Sequence, residues 1–413
     1  MPTIDLKYGR NVVPVEYDEE RFSVLAAAND AAPLDDRTIN EKLDRPIDAE
    51  PFEETISPGE TVLVVVPDAT RASGSAQIVN LLVRRLIANG TRPHEIAIIF
   101  ATGIHRPVTR EEKDEILTPF ITQRIRTIDH RASGIANLAV VGETSGGISV
   151  SLNGALLDSD HVITIGAVTF HYFAGFTGGR KLICPGLASE RTVEATHKLA
   201  FDCETLRRRE GVGTGLLAGN AVHEAFLEAA KFVKNVFSIS TVVNDAGEVT
   251  DLFCGDLVAS HLAACDAVAA KQTLRIEAKR DLVIVSCGGS PFDVNLIQAH
   301  KALDAAAKAC TPGGRIILLA ECSEGTGRAD FIDWFEAENS NALARELCDR
   351  YQVNGQTAWN FLSICERFDV EMMTTLDHKT LGKLRVKKAD LRDLSETGYI
   401  LPNGAKVNIN ASR

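Results

Sequence analysis

Residues 61–66 read Thr-Val-Leu-Val-Val-Val and are followed by Pro67, and residues 95–100 read Glu-Ile-Ala-Ile-Ile-Phe. Continuous runs rich in β-branched residues are typical of strands buried on both faces of a parallel sheet. Between them, apolar residues at helical spacing predict a helix over 76–89. The order strand, helix, strand is a βαβ unit, and it predicts an α/β protein with mainly parallel sheets.

The same alternation of strands and helices continues along the chain. The opening segment, about 1–60, is predicted to form a hairpin, loops and a helix, and the remaining predicted elements are strands at 137–141, 161–165, 236–243, 281–286 and 314–320 and helices from near Ser189, at 221–234, at 255–280 and at 293–308. A chain of 413 residues is too long for one ordinary core. We therefore predict two α/β domains, 1–272 and 273–413, with the active site in the cleft between them.

The composition excludes several classes of protein. Hydrophobic residues make up 45% of the chain and charged residues 24%, as in globular proteins. The net charge of -12 argues against nonspecific nucleic-acid binding, which needs a basic face. The chain start lacks the pattern of a signal peptide, and no stretch approaches the roughly 20 apolar residues of a membrane span. Nine dispersed cysteines suggest reduced, mostly buried thiols. These features predict a cytoplasmic protein with neither nucleic acid nor membrane as a partner.

The loops that follow the strands carry the candidate site residues, because ligands of open α/β sheets bind beyond the carboxyl ends of the strands. After the first strand come Asp68 and Arg71, where helix-start amides and an arginine fork can hold a phosphate or carboxylate. Alternatively, Asp68 caps a helix and Arg71 is unrelated to it. After the next strand comes His105, which is either a proton carrier or a structural residue. Thr109 and Glu112 then predict a capping box.

The loop richest in glycine is His171-Tyr-Phe-Ala-Gly-Phe-Thr-Gly-Gly-Arg-Lys-Leu-Ile-Cys-Pro-Gly186. Its glycines permit positive φ angles and close approach to a ligand, and the segment is too irregular for a strand. Lys181 follows Arg180, a cation that can favour a neutral, nucleophilic amine. Alternatively, Lys181 is a simple point charge for a phosphate. His197 on the following helix is a candidate metal ligand, although one isolated histidine cannot complete a conventional site.

Gln298 and Lys301 are the candidate residues of the second domain. They lie three positions apart on the predicted helix, which puts them on one face. Near the crevice they can grip a carboxylate or phosphate. In isolation, the pattern favours a solvent-exposed pair.

Taken together, these segments resemble the nickel-pincer lactate racemase family, and the resemblance runs from about Asp68 to Gly327. Its most specific part is the loop 171–186 with His197 downstream. The stretches 68–71, 102–107 and 288–298 fall in the family's order. The family cofactor is pyridinium-3-thioamide-5-thiocarboxylic acid mononucleotide, whose nickel is held by a ring carbon and two sulfurs.

The resemblance implies a role for each candidate residue. Lys181 would carry the covalent link to the cofactor, His197 would complete the square plane of nickel, and cofactor-biosynthesis enzymes would mature the protein. His105 and His171 would act as acid and base on opposite faces of the substrate while the C2 hydride moves to the cofactor and back. The substrate carboxylate would be oriented by Arg71, Gln298 and Lys301, and Asp68 and Arg71 would support the cofactor site.

The resemblance therefore implies an isomerase, a racemase or epimerase that inverts C2 of a 2-hydroxy acid. Two departures favour a substrate other than lactate, such as malate or a sugar acid like gluconate. Ile297 stands where lactate-specific members tend to carry tyrosine, and Arg180 stands where a small residue is expected. Lactate itself remains an alternative. A nucleotide-dependent enzyme and a noncatalytic cofactor carrier that use the same crevice are further alternatives. The carrier would not need both His105 and His171.

Overall fold

The computed structural model describes residues 1–27, 31–69, 71–134, 136–391 and 394–411, and the chain forms two compact units. The central unit comprises Asn29–Ala200 and Glu210–Val268. The terminal unit comprises Met1–Ala28, Phe201–Arg209 and Ala269–Arg413. The chain thus passes from one unit to the other several times rather than once.

The strands and helices of the described residues alternate along most of the chain. In chain order, the strands are β1 (Thr3–Tyr8), β2 (Asn11–Glu16), β3 (Phe22–Val24), β4 (Val62–Pro67), β5 (Ile96–Ala101), β6 (Arg126–Asp129), β7 (Leu138–Glu143), β8 (Ser149–Asn153), β9 (His161–Ala167), β10 (Phe170–His171), β11 (Gly175–Phe176), β12 (Phe201–Asp202), β13 (Arg207–Arg208), β14 (Val236–Val243), β15 (Val249–Asp256), β16 (Thr273–Ile276), β17 (Arg280–Ser286), β18 (Cys310–Leu319), β19 (Asp369–Met373), β20 (Lys387–Lys388), β21 (Gly398–Leu401) and β22 (Asn408–Ala411).

The α-helices are α1 (Asp36–Leu43), α2 (Phe52–Thr55), α3 (Ser75–Ala88), α4 (Arg110–Leu117), α5 (Pro119–Thr122), α6 (Glu190–Lys198), α7 (Ala221–Ala230), α8 (Ala259–Gln272), α9 (Leu296–Ala309), α10 (Ser340–Asp349), α11 (Val353–Cys365) and α12 (His378–Leu384). Short 3-10 helices lie at Pro93–Glu95, Gly154–Leu156, Gly179–Leu182 and Ala329–Glu336. Within the described residues, none of the helices combines the length and the apolar character needed to cross a membrane.

The central unit is built on a six-stranded sheet in the order β15-β14-β9-β4-β5-β6. Its strands are parallel except β15, which pairs antiparallel with β14 at the edge. All six residues of β4 are buried, as expected for a strand covered on both faces. Ile78, Leu82 and Leu86 of α3 pack in one core cluster with the alternate valines of β4. The predicted βαβ unit is therefore confirmed.

The terminal unit contains an all-parallel six-stranded sheet in the order β20-β19-β18-β17-β21-β3. Alternate residues of β17 enter different cores, because successive side chains point to opposite faces. Val283 and Val285 pack in the core with α9, α10 and α11, whereas Leu282 and Ile284 pack with Leu6 of the β1–β2 hairpin. Two α/β units with mainly parallel sheets confirm the predicted fold class.

The division of the chain differs from the predicted domains 1–272 and 273–413. The last crossing of the chain from one unit to the other, between Val268 and Ala269, lies close to the predicted boundary at residue 272. However, Met1–Ala28 belongs to the terminal unit, because β3 pairs in parallel with β21. A pairing between residues so far apart in sequence leaves no local signal.

The cysteines differ from the prediction at one pair. Cys203 and Cys348 form a disulfide within the terminal unit, with their Cα atoms 5.8 Å apart. The other seven are free thiols, and all of them are buried except Cys365, which is partly buried. The prediction of reduced thiols was wrong for the disulfide because a sequence separation of 145 residues conceals the contact.

Buried histidines are expected to make both units sensitive to acid. Burial lowers the pKa of His261 in the central unit to about 3 and that of His300 in the terminal unit to about 4. An unfolded histidine has a pKa near 6.5. Below that pH the unfolded chain therefore binds more protons than the folded chain, and the free energy of unfolding decreases as the pH is lowered. We expect each unit to lose roughly 2 kcal/mol of stability between pH 6.5 and pH 5 from its histidine.

Urea unfolding at pH 7.5 and pH 5 measures this loss. The variants His261→Gln and His300→Gln should each show a weaker pH dependence than the parent protein. His94→Gln is the matched control, because the His94 side chain is 73% exposed. A pH dependence unchanged in both buried-site variants would contradict the prediction.

Candidate active site

Three neighbouring strands of the central sheet bring the candidate residues of that unit to one edge. Strands β9, β4 and β5 lie side by side and run parallel, so the loops after them begin at the same edge. Asp68 directly follows β4, His105 follows β5, and His171 lies shortly after β9. The α/β topology thus supplies three of the predicted site residues from adjacent loops.

Asp68 and His105 form a close pair. Nδ1 of His105 lies 2.7 Å from Oδ2 of Asp68, whose side chain is buried while that of His105 is 47% exposed. Because a carboxylate accepts hydrogen bonds, Nδ1 carries the proton and neutral His105 has its lone pair on Nε2. His105 is therefore oriented as a proton acceptor with an accessible ring nitrogen. The capping box of Thr109 and Glu112 forms as predicted.

The alternative that Asp68 caps a helix is wrong. Helix α3 begins later, at Ser75, and its N-cap is Gly74 with a φ of 66°. The backbone N–H of Arg71 donates to the carbonyl of Asp68 at 3.1 Å, so the two residues share one turn. The Arg71 side chain is partly buried in that turn.

The glycine-rich loop is more regular than its sequence predicts. Phe170–His171 pairs antiparallel with Gly175–Phe176 in a tight hairpin, and a 3-10 turn follows at Gly179–Leu182. Gly175 has a φ of 76°, and a Cβ there would lie 2.2 Å from the carbonyl oxygen of Leu216. The prediction of no strand pairing in this segment was therefore wrong, because the hairpin is fixed by its packing against residues outside it.

His171 is buried at the start of this hairpin. Its Nδ1 accepts hydrogen bonds from the backbone N–H groups of Ala174 at 3.3 Å and Phe173 at 3.5 Å. Its ring stacks on Tyr172 with 5.4 Å between centroids. An amide N–H can only donate, so neutral His171 carries its proton on Nε2. His171 and His105 are thus held in opposite tautomers.

Lys181 and His197 meet at a shared pair of aromatic rings. The Nζ atom of Lys181 lies 5.6 Å from the ring centroid of Phe173 and 5.4 Å from that of Phe226. The ring of His197 lies 5.2 Å from each of the same two rings. Contacts at these distances are in the range of cation–π and aromatic packing. The structure therefore brings together the predicted cofactor lysine and the predicted metal ligand.

The His197 ring is neutral and has its lone pair on Nε2. Burial, together with the positive charge of Lys181, lowers the pKa of His197 to about 3, so the ring is neutral at physiological pH. Its Nδ1 donates to the carbonyl of Val193 at 2.7 Å, which leaves the lone pair on Nε2. The carrier helix α6 is capped by Ser189, whose side chain accepts from the N–H of Thr192 as predicted.

The donor chemistry at His197 is that of a single imidazole. Among the described residues, no three or more His, Cys, Asp or Glu side chains are grouped so as to hold a metal ion. A group that brings its own sulfur and carbon donors fits this arrangement, because one neutral imidazole and one nearby amine match its two points of attachment. Lys181 is partly buried.

Arg180, unlike Lys181, is turned into the protein. Its side chain is 1% exposed, and it donates to the carbonyl of Ala174 at 2.8 Å and to Nε2 of His261 at 2.9 Å. Burial lowers the pKa of its guanidinium to about 10. Arg180 therefore supports the hairpin from inside the central unit and does not present a cation to a dissolved ligand.

Gln298 and Lys301 pair on helix α9 of the terminal unit. Nζ of Lys301 donates to Oε1 of Gln298 at 2.6 Å, and both side chains are partly buried. The prediction that they share a face of the helix is confirmed. The interpretation of a fully exposed pair does not hold, because neighbouring residues cover part of each side chain.

Sequence reasoning missed two residues of the central unit that contact the site. Phe226 contributes one of the two rings beside Lys181, and Asn220 donates to the carbonyl of Phe173 at 2.8 Å. Asn220 precedes a helix, so a capping signal was available, but its second contact lies far away in sequence. For Phe226 no sequence signal distinguishes this ring from other core aromatics.

Comparison with protein families and curated proteins gives consistent results. The model of the lactate racemase N-terminal domain matches residues 8–207, and that of the lactate racemase C-terminal domain matches residues 276–394. The chain is 32% identical to lactate racemase from Lactiplantibacillus plantarum over 338 residues, covering 80% of this chain and 77% of that protein. It is 27% identical to lactate racemase from Thermoanaerobacterium thermosaccharolyticum over 355 residues, covering 85% and 82%.

Two solved structures share the fold. The lactate racemase apoprotein from T. thermosaccharolyticum superposes with a TM-score of 0.89 at 24% identity, covering 99% of this chain and all of that one. A crystal structure of a protein from Thermotoga maritima gives a TM-score of 0.72 at 19% identity over 94% of this chain. With both domain models matched and a curated relative above 30% identity, the chain belongs to the lactate racemase family.

Proposed function

We propose that this protein inverts the configuration at C2 of a 2-hydroxy acid with a nickel-pincer nucleotide carried covalently on Lys181. Membership of the lactate racemase family makes the protein an isomerase, and the curated relatives support a small 2-hydroxy acid as its substrate. When bound, the cofactor supplies a carbon that accepts the C2 hydride and returns it. Enzymes that make the cofactor are the proposed partners in maturation.

The observation that carries this proposal is the convergence of Lys181 and His197 on the rings of Phe173 and Phe226. The Lys181 amine would form the covalent link, and Nε2 of His197 would be the protein's ligand to nickel. A neutral imidazole is the form that binds metal, and the lowered pKa of His197 favours it. Asp68 and Arg71, on the adjacent loop, would support the cofactor site.

The proton transfers would be carried out by His105 and His171. Nε2 of His105 is the nitrogen that can accept the hydroxyl proton, and the Asp68 carboxylate orients the ring through Nδ1. Neutral His171 would donate a hydrogen bond from Nε2 to the substrate oxygen, and it would transfer that proton only when Nδ1 is protonated as well, since otherwise an imidazolate would remain. Two proton-carrying groups suit a racemase, because the two enantiomers present their hydroxyl groups differently.

Arg71, Gln298 and Lys301 are the proposed contacts of the substrate carboxylate. An arginine fork and an ammonium both favour a carboxylate, and the amide of Gln298 adds a donor. Holding the carboxylate would orient C2 for hydride removal, which is how positioning lowers the barrier of such a reaction.

The substrate is proposed to be an acid other than lactate, such as malate or a sugar acid. Arg180 does not support this choice, because its buried side chain is turned toward Ala174 and His261. The argument therefore rests on Ile297, beside Gln298, where lactate-specific members tend to carry tyrosine. Both curated relatives are called lactate racemase, so lactate is the reference substrate for the test.

A chiral assay over lactate, malate, gluconate and aromatic 2-hydroxy acids tests the function. With protein matured by the cofactor-making enzymes, we expect inversion of at least one acid with kcat/KM about tenfold or more above that for lactate. Ile297→Tyr should shift the preference toward lactate. If lactate is the best substrate, the substrate proposal fails and the racemase proposal stands. If matured protein inverts none of these acids, the racemase proposal itself is contradicted.

A further inference from the structure

We propose that Asn220 is a positioning residue for His171, which fixes the proton of neutral His171 on Nε2 through the peptide between Phe173 and Ala174. This inference rests on the proposed function, in which His171 donates to the substrate oxygen through Nε2. The Asn220 side chain bonds to the backbone of the hairpin rather than to the His171 ring. Its effect is transmitted through the backbone of the hairpin tip, residues 172–174.

Both atoms of the Asn220 side-chain amide, Oδ1 and Nδ2, make hydrogen bonds. It is fully buried, and its Oδ1 caps helix α7 by accepting from the N–H groups of Val222 at 3.1 Å and His223 at 3.3 Å. Its Nδ2 donates to the carbonyls of Phe173 at 2.8 Å and Leu216 at 2.9 Å. An amide with two donated and two accepted bonds has no alternative orientation of equal energy. Asn220 is therefore a rigid support rather than an adaptable contact.

The bond to Phe173 acts on His171 through a single peptide. The carbonyl of Phe173 and the N–H of Ala174 belong to the same peptide unit. Asn220 donates to the carbonyl, and the N–H on the other side of the unit donates to Nδ1 of His171. Hydrogen bonds linked in this way polarise one another. Asn220 thus both orients the N–H toward His171 and strengthens its donation.

The adjoining peptide is held by another buried side chain. Arg180 donates to the carbonyl of Ala174, and the next residue, Gly175, lies close to the carbonyl of Leu216. The tip is therefore restrained at two successive carbonyls. Of these, only the carbonyl that Asn220 holds lies in the peptide whose N–H faces His171 at 3.3 Å.

As a consequence, Nε2 has opposite hydrogen-bonding roles in the two histidines. The Asp68 carboxylate makes Nε2 of His105 the acceptor, whereas the hairpin amides make Nε2 of His171 the donor. Without Asn220, the peptide can rotate and Nδ1 of His171 can take the proton instead. The loss of one side chain would then leave both histidines with the same tautomer, so that the donor is missing.

The test is 15N NMR of the full-length, cofactor-free protein labelled at histidine. The ring nitrogen shifts report which nitrogen is protonated, and the His171 signals are assigned by their disappearance in His171→Gln. In the parent protein, we expect the proton of neutral His171 on Nε2. A proton on Nδ1 there would overturn the proposal without any further variant.

Asn220→Ser then isolates the donor. Serine is as good a helix cap as asparagine, but it has no amide group to reach Phe173. We expect the His171 nitrogens to shift toward each other as the two tautomers mix. Asn153→Ser is the matched control, since Asn153 is also a buried cap, and its Nδ2 lies 3.1 Å from Nδ1 of His130 instead. Unchanged His171 signals in Asn220→Ser would overturn the proposal.

Activity separates this inference from the proposed function. In matured Asn220→Ser enzyme, kcat should fall about 10- to 100-fold with little change in KM, as for a misplaced catalytic group. If the tautomer shifts as expected but His171→Gln keeps full activity, the role of His171 in the proposed function fails while its positioning by Asn220 stands. If His171 is essential but its tautomer is the same in Asn220→Ser, the role of His171 in the proposed function stands and its positioning by Asn220 is overturned.

Discussion

Replacing Lys181 with arginine is expected to abolish both cofactor attachment and racemisation, although it retains the positive charge. A guanidinium stays protonated and does not act as a nucleophile, whereas the lysine amine can form a covalent bond when it is neutral. Intact-mass spectrometry of protein matured with the cofactor-making enzymes should show an adduct on the parent protein and none on Lys181→Arg.

Lys198→Arg is the matched control for this experiment. Lys198 ends the same helix that carries His197, and its side chain is exposed. It should keep both the adduct and the activity. Should Lys181→Arg instead remain active without an adduct, Lys181 would be a simple phosphate contact, which the sequence alone left open.

Replacing His105 with glutamine is expected to lower kcat by roughly 10²- to 10⁴-fold, the contribution of a positioned acid or base. Glutamine preserves polarity but cannot carry a proton. Asp68→Asn should also lower kcat, because it removes the carboxylate that keeps the His105 proton on Nδ1. Chiral chromatography of the product from each enantiomer measures both rates.

His94→Gln serves as the control for His105, because His94 is an exposed histidine of the same unit. Its variant should keep the parent rate. Activity within a few-fold of the parent in His105→Gln would remove His105 as an essential base. A protein that needs neither His105 nor His171 would then fit the noncatalytic carrier that the sequence also allowed.

Much of the fold follows from local pattern. The buried strand at 61–66, the helix after it and the cap at Ser189 are found close to their predicted positions, because hydrophobic runs and capping residues act within a few residues. The position of site residues after strands also follows, since parallel strands present their carboxyl ends at one edge. Hence Asp68, His105 and His171 were predictable as a group.

What the sequence could not predict depends on distant contacts. The hairpin at His171 forms because Arg180, Asn220 and the segment around Leu216 hold its tip, and no local pattern reveals these partners. The buried orientation of Arg180 likewise depends on His261, which comes much later in the chain. In the sequence, Arg180 is a departure that favours a substrate other than lactate, and its buried side chain does not support that argument.

The pairing of β3 with β21 has a consequence for building hybrid proteins from members of this family. Exchanging only the residues after 268 between two relatives would combine an edge strand from one parent with a sheet from the other. Phe22 shares a core with Leu282 and Ile400, so mismatched side chains would meet in a packed interior. A chimera designed to transfer substrate preference therefore has to carry Met1–Ala28 and Phe201–Arg209 together with Ala269–Arg413.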